Sequence, residues 1–119
     1  MGADDEQNGL FVLDRSKSIE DLQEMIVNGP TAVKFWAPWC GPCRALSPTW
    51  RSIIPQLFRK YEVKGIDINT DEHQQIAINL GVQSLPCTIL FKNGEQVERI
   101  VGSHNHQDYE AKIKNGLKL

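Results

Sequence analysis

The spacing of apolar residues changes several times along the chain, and each change marks an element. Leu10–Leu13 is a short apolar run of strand length, expected at a sheet edge. Ile19, Leu22 and Ile26 then recur at intervals of three and four, which predicts a helix running to about Val27. Ser16 or Ser18 can cap it, and Asn28-Gly29-Pro30 ends it. The next run, opening at Thr31 and carrying Val33, Phe35 and Trp36, reads as a buried strand. After Cys43 the helical spacing returns, with Leu46, Trp50, Ile53, Ile54, Leu57, Phe58 and Tyr61 on one face over four turns. Pro48 and Pro55 interrupt that helix, and each removes one backbone bond.

Val63–Ile68 is the following strand, and Thr70 or Asp71 caps a helix reaching Leu80, closed by Gly81. Cys87–Phe91 and Gln96–Val101 flank Lys92-Asn93-Gly94-Glu95, a strong hairpin signal. Tyr109, Ile113 and Leu117 give Asn105–Leu117 the apolar face of a last helix. This order predicts an α/β sandwich in which a central mixed β-sheet is flanked by helices on both faces. Residues 1–9 have almost nothing to bury and are expected as a disordered tail, leaving 10–119 as one domain.

With 119 residues, 40% of them hydrophobic, the chain can enclose a single core. Its net charge of −2 gives no reason to expect nucleic acid or a membrane as partner. No apolar run approaches the ~20 residues of a membrane span. The acidic opening MGADDEQNG resembles neither a signal peptide nor an Arg-rich transit peptide. Glu6 stands where a myristoylation signal after Gly2 would have Ser or Thr. Three cysteines fit a reducing compartment with one catalytic pair and one thiol left over, so a cytoplasmic monomer is expected.

The pair is Cys40 and Cys43, in Trp39-Cys40-Gly41-Pro42-Cys43 at a strand-to-helix junction. Cys40 at a helix N-terminus would have its thiolate favoured by unpaired N–H groups and the macrodipole. Cys43, one turn on, can close a disulfide with it, and Pro42 suits the first turn. A structural zinc site shares this spacing but needs a second ligand pair. Among Cys87, His73, His104 and His106 only His104/His106 shows a paired spacing, in polar sequence before a helix, so no metal is expected.

FWAPWCGPCR followed by Ser47-Pro48 resembles the active-site segment of the thioredoxin family. The resemblance runs on through Ile68–Glu72, Gly81-Val82, Leu85-Pro86 and Phe91–Glu95 to Val101-Gly102, about residues 10–116 in all. It implies the thioredoxin fold and a protein dithiol–disulfide oxidoreductase without a bound cofactor. Its partners would be disulfide-containing client proteins and a thioredoxin reductase. Cys40 would attack a client disulfide and Cys43 would resolve the mixed disulfide. Trp39, Gly41, Pro42, Leu85, Pro86, Val101 and Gly102 would form a shallow client groove. Pro86 would be cis, exposing the Leu85 N–H and C=O for strand-like pairing.

Two positions depart from the family. Lys34 stands where thioredoxins usually have a buried Asp assisting proton transfer, and the aligned neighbour is Asp67, so the charge pair looks exchanged. Cys87 follows the expected cis proline where Thr is common, and it reads most simply as a small core residue. The three histidines lie in polar stretches and are expected at the surface.

Overall fold

Residues 4–119 are described here from a computed structural model. Its strands are β1 (Leu10–Val12), β2 (Pro30–Trp36), β3 (Lys64–Asn69), β4 (Cys87–Lys92) and β5 (Glu95–Val101). The helices are α1 (Ile19–Ile26), α2 (Gly41–Tyr61), α3 (Gln74–Asn79) and α4 (His106–Leu117). The strands make one mixed sheet in the order β1-β3-β2-β4-β5. β1, β3 and β2 run parallel, while β4 is antiparallel to both β2 and β5. β2, joined to the active-site segment, is therefore the central strand, buried at every position from Thr31 to Phe35.

Side chains alternate across that strand and build two cores. Ala32 joins Leu46, Trp50, Ile53 and Ile54 of α2 and Tyr109, Ile113 and Leu117 of α4 on one face. Val33 and Phe35 join Leu22 and Ile26 of α1 and Ile76 and Ala77 of α3 on the other. Each large aliphatic or aromatic side chain buried this way contributes about 2 kcal/mol. α2 lies so close to the sheet that a Cβ on Gly65 would come within 2.7 Å of Trp50 and 2.9 Å of Ile54. Glycine is the residue this approach requires.

Local chemistry sets the ends. Ser18 caps α1 in a reciprocal box with Asp21, whose carboxyl these bonds hold below the usual range. Asn93 and Gly94, both at positive φ, turn the β4–β5 hairpin. α2 continues through both Pro48 and Pro55.

Three expectations change. The tail does not extend to residue 9. Glu6–Asn8 form a 3-10 turn, Asp5 bridges Leu10, and the Asp4 carboxylate accepts the Val12 N–H at 2.7 Å. The Asp4 carboxylate thus satisfies a backbone donor and the Asp5 carboxylate accepts from the Asn8 side-chain amide at 2.8 Å, instead of solvating a coil, and Gly9 tucks against Phe58. Residues 1–3 of the expected tail lie outside the described residues. α3 begins at Gln74 rather than near Asp71, because Asn69 Oδ1 takes the Asp71 N–H and holds residues 70–72 in a turn. His73 is buried, not at the surface: its Nε2 lies 2.9 Å from the Leu13 carbonyl and 3.0 Å from that of Asp14. A ring N–H shared between two carbonyls ties the loop after β1 to the loop after β3, which offsets the cost of burying the imidazole. His104 is half-buried and His106 is exposed.

Candidate active site

β2 runs out at Trp36, and the chain turns so that Cys40 becomes the N-cap of α2, with φ −92° and ψ 109°. Pro42 falls at the start of the helix, where an N–H would have had no helical partner. The Cys40 sulfur accepts the Cys43 N–H at 3.2 Å. A donor and the positive end of a 21-residue helix thus meet at one sulfur, and both favour its anionic form. The Cα atoms of Cys40 and Cys43 lie 5.3 Å apart and the two sulfurs form a disulfide. Cys43 has no exposure and Cys40 has 5%, so any incoming sulfur meets Cys40 first.

The turn carrying Cys40 is pinned from two sides. Arg44 Nη1 donates to the Pro38 carbonyl at 2.9 Å. The Trp39 indole, 69% exposed, donates to Asp71 Oδ1 at 3.2 Å. Sequence reasoning missed both supports. Asp71 read as a helix cap, and a lone Arg after the motif carries no signal of where its guanidinium folds. Gly41 and Pro42 are exposed beside Cys40.

Leu85 packs against the buried group formed by Ala37, Cys40 and Cys43, and the Leu85–Pro86 bond is cis as expected. Among the described residues the Leu85 N–H and C=O have no hydrogen-bond partner. The Gly102 N–H donates to the Pro86 carbonyl at 2.8 Å, so Val101-Gly102 flanks the cis bond. Val101 is 53% exposed and is not core. Trp39 and Leu85 line one cleft of about 330 Å³ together with Ala77 and Val82. Of the residues expected to form a groove, Leu85 thus packs against the cysteines, Trp39 shares a cleft with it, and Val101-Gly102 flanks Pro86.

Beneath α2 the exchanged pair is real. Lys34 and Asp67 face each other across β2 and β3, with Nζ 3.0 Å from Oδ1 and both side chains buried. Nζ also sits 4.9 Å from the Trp50 ring centroid, two turns along α2 from Cys43. Although close, the two groups are not aligned as a hydrogen bond, so the contact is one of charge. Burial pushes Lys34 down and Asp67 up, and their mutual attraction opposes both shifts without cancelling them. Thr88 on β4 stands next in register to Lys34, its Oγ1 2.6 Å from the Tyr109 hydroxyl. Cys87 is buried on the opposite face, and burial raises its thiol pKa against the pull of Arg99. Among the described residues no group of acids, cysteines and histidines could hold a metal.

A disulfide-bonded cysteine pair at a helix N-terminus, next to a cis-proline strand with free backbone groups, is the arrangement of a dithiol–disulfide oxidoreductase. The sequence profile of one family, described as Thioredoxin, matches residues 15–115. The chain belongs to the thioredoxin family. It is 43% identical over 84 residues to a thioredoxin of Pyropia yezoensis, covering 68% of this chain and 75% of that protein. It is also 43% identical over 76 residues to the chloroplastic Thioredoxin M5 of Oryza sativa subsp. japonica, where the match spans 62% of this chain and 42% of the rice protein. Among solved structures, Malassezia sympodialis thioredoxin superposes with a TM-score of 0.79 at 25% identity, covering 92% of this chain and 94% of that one. A thioredoxin of Halobacterium salinarum gives 0.77 at 27% identity, covering 94% of each. No described helix is long and apolar enough to cross a membrane.

Proposed function

We propose that the chain works as a protein-disulfide reductase, on the strength of Cys40 at the N-cap of α2 with Cys43 one turn behind it. In the reduced protein the Cys40 thiolate attacks one sulfur of a client disulfide. A Cys40–client disulfide forms, and the other client sulfur leaves as a thiolate that takes a proton. Cys43 then loses its proton and attacks the Cys40 sulfur, releasing the second client thiol and closing Cys40–Cys43. A thioredoxin reductase returns the two electrons. Trp39, Gly41, Pro42, Leu85, Pro86, Val101 and Gly102 hold the client as an extended segment, with the Leu85 backbone pairing to it.

The exchanged pair divides the usual work in a different way. An ammonium cannot accept the Cys43 proton, so Asp67 is the acceptor, reached through water, and Lys34 favours the thiolate electrostatically. The protein acts as a monomer in a reducing compartment. The count of three cysteines fits a reducing compartment, and imaging of a fluorescent fusion decides between the cytoplasm and the chloroplast, the latter named for the rice and pea relatives.

The test is insulin-disulfide reduction, coupled in turn to an NADPH–flavin and a ferredoxin-linked reductase. Turnover with one of them is expected, with Cys40→Ser inactive and Cys43→Ser accumulating a mixed disulfide. Biological activity that survives replacement of both cysteines would show a binding module instead.

A further inference from the structure

A second cleft, of about 440 Å³, is separate from the one beside the disulfide. It lies between β5 and α4. Four consecutive β5 residues, Glu98 to Val101, line it, so it borders the edge of the strand and not one face. β5 is the last strand of the sheet, and its outer edge is unpaired.

Which backbone groups face that edge follows from the register. The Gly102 N–H bonds to the Pro86 carbonyl, so the pairs Cys87↔Val101 and Ile89↔Arg99 are the non-bonded ones. The N–H and C=O of Arg99 and Val101 therefore point outward. Two of these four groups are already occupied. The Arg99 N–H donates to Glu98 Oε1 at 2.9 Å, and the Val101 carbonyl lies 2.9 Å from His104 Nε2. The Arg99 C=O and the Val101 N–H remain without a partner among the described residues. One carbonyl and the N–H two residues later are what a single residue of a parallel strand engages, donating to the first and accepting from the second.

Charge says which residue. The Glu98 carboxylate, which shares the cleft, is held at the Arg99 N–H, and the Arg99 guanidinium is turned away to the Leu80 and Gly81 carbonyls. Lys112 lines the cleft with no acid partner among the described residues. We infer that the β5 edge, between Arg99 and Val101, docks an extended acidic segment of the client polypeptide, running parallel to β5 with a carboxylate side chain against Lys112. Because Val101 belongs both to this cleft and to the surface flanking cis Pro86, one client can occupy both. This deepens the reductase reading and rests on it.

Two arms keep the docking and the reductase reading distinguishable. In the first, a disulfide-free peptide carrying an Asp-Glu segment is titrated into ¹⁵N-labelled protein. The amide signals of Arg99 and Val101 should move, and a Lys-substituted peptide should leave them still. In the second, reduced protein is mixed with disulfide peptides bearing acidic or basic flanks. The acidic flank should lower KM about two- to fivefold, the range of an exposed ion pair. Lys112→Glu should reverse that preference and leave reduction of a small uncharged disulfide unchanged. Equal rates for both peptides, Lys112→Glu changing both alike, or β5 shifts that depend on protein concentration without peptide would overturn the docking proposal. Failure to reduce insulin would overturn the reductase reading and leave the first arm standing.

Discussion

Removing one member of the Lys34–Asp67 pair should cost far more than removing both. The two charges are 3.0 Å apart, with side-chain exposures of 0% and 2%. At an effective dielectric of about 20, charges at that separation attract by roughly 5 kcal/mol. Desolvating two ions costs several kcal/mol each. The attraction thus offsets burial only in part, in agreement with the directions in which Lys34 and Asp67 shift. Lys34→Met leaves a carboxylate in the core and Asp67→Leu leaves an ammonium, each expected to lose about 3–5 kcal/mol. The double variant, with no buried charge, should lie near wild type or above it, giving a coupling of several kcal/mol. Urea unfolding of all four proteins in the oxidised state measures this cycle. pH adds a sharper signature. Asp67 left alone has a folded pKa raised above its ordinary 3.8, so Lys34→Met should lose stability as pH climbs from about 4 through that raised value. Lys34 left alone has a folded pKa lowered below 10.5, so Asp67→Leu should lose stability as pH falls from about 10 through the lowered value. Additive single effects, or two single variants with the same pH slope, would refute the argument.

Limiting iodoacetamide on the reduced protein should label Cys40 before Cys43, because Cys43 is fully buried; peptide mapping decides it, and preferential labelling of Cys43 would reverse the assigned roles. Tyr109→Phe should cost about 1–2 kcal/mol in urea unfolding, since it strands the buried Thr88 hydroxyl now 2.6 Å from the Tyr109 oxygen. Adding Thr88→Val to it should recover part of that loss, and no recovery would count against the hydrogen bond. Gly65→Ala should destabilise by about 1–3 kcal/mol, because its methyl group would meet Trp50 at 2.7 Å, and a neutral result would mean that α2 yields freely.

Much of this was legible from spacing alone, because burial imposes it. β2 reads as a strand since Ala32, Val33 and Phe35 are buried on alternating faces, and α2 reads as a helix since one face must cover the sheet. The thiol pair also emerges where the residues themselves point, while the cis proline and the Lys34–Asp67 contact follow from the resemblance to the thioredoxin family. The failures share a cause. His73, Asp4 and Asp71 are polar side chains in polar stretches, and their partners are groups on other segments: the Leu13 carbonyl, the Val12 N–H and the Trp39 indole. Polarity in sequence records that a side chain can form hydrogen bonds. It does not record whether water or the backbone of another loop supplies the partner.

The same distinction explains where the molecule tolerates instability. The pair beneath α2 is a charge contact without hydrogen-bond alignment, and burial shifts both groups toward their neutral forms. A core built only for stability would fill that volume with aliphatic side chains. At the start of the helix that covers the pair, the proposed reaction requires a proton to leave Cys43 in one half of the cycle and return in the other. A carboxylic acid held above its ordinary pKa can take and give up a proton in that range, which a hydrocarbon cannot. Lys34 opposes that rise, since its attraction for the Asp67 carboxylate works against the desolvation that causes it. Asp67→Asn, which keeps the shape and removes the acid–base function, therefore separates the two uses of the pair. It should slow release of the Cys40 mixed disulfide and leave the first attack on the client unchanged in stopped-flow traces. Equal slowing of both steps would mean that the pair acts on the fold and not on the proton.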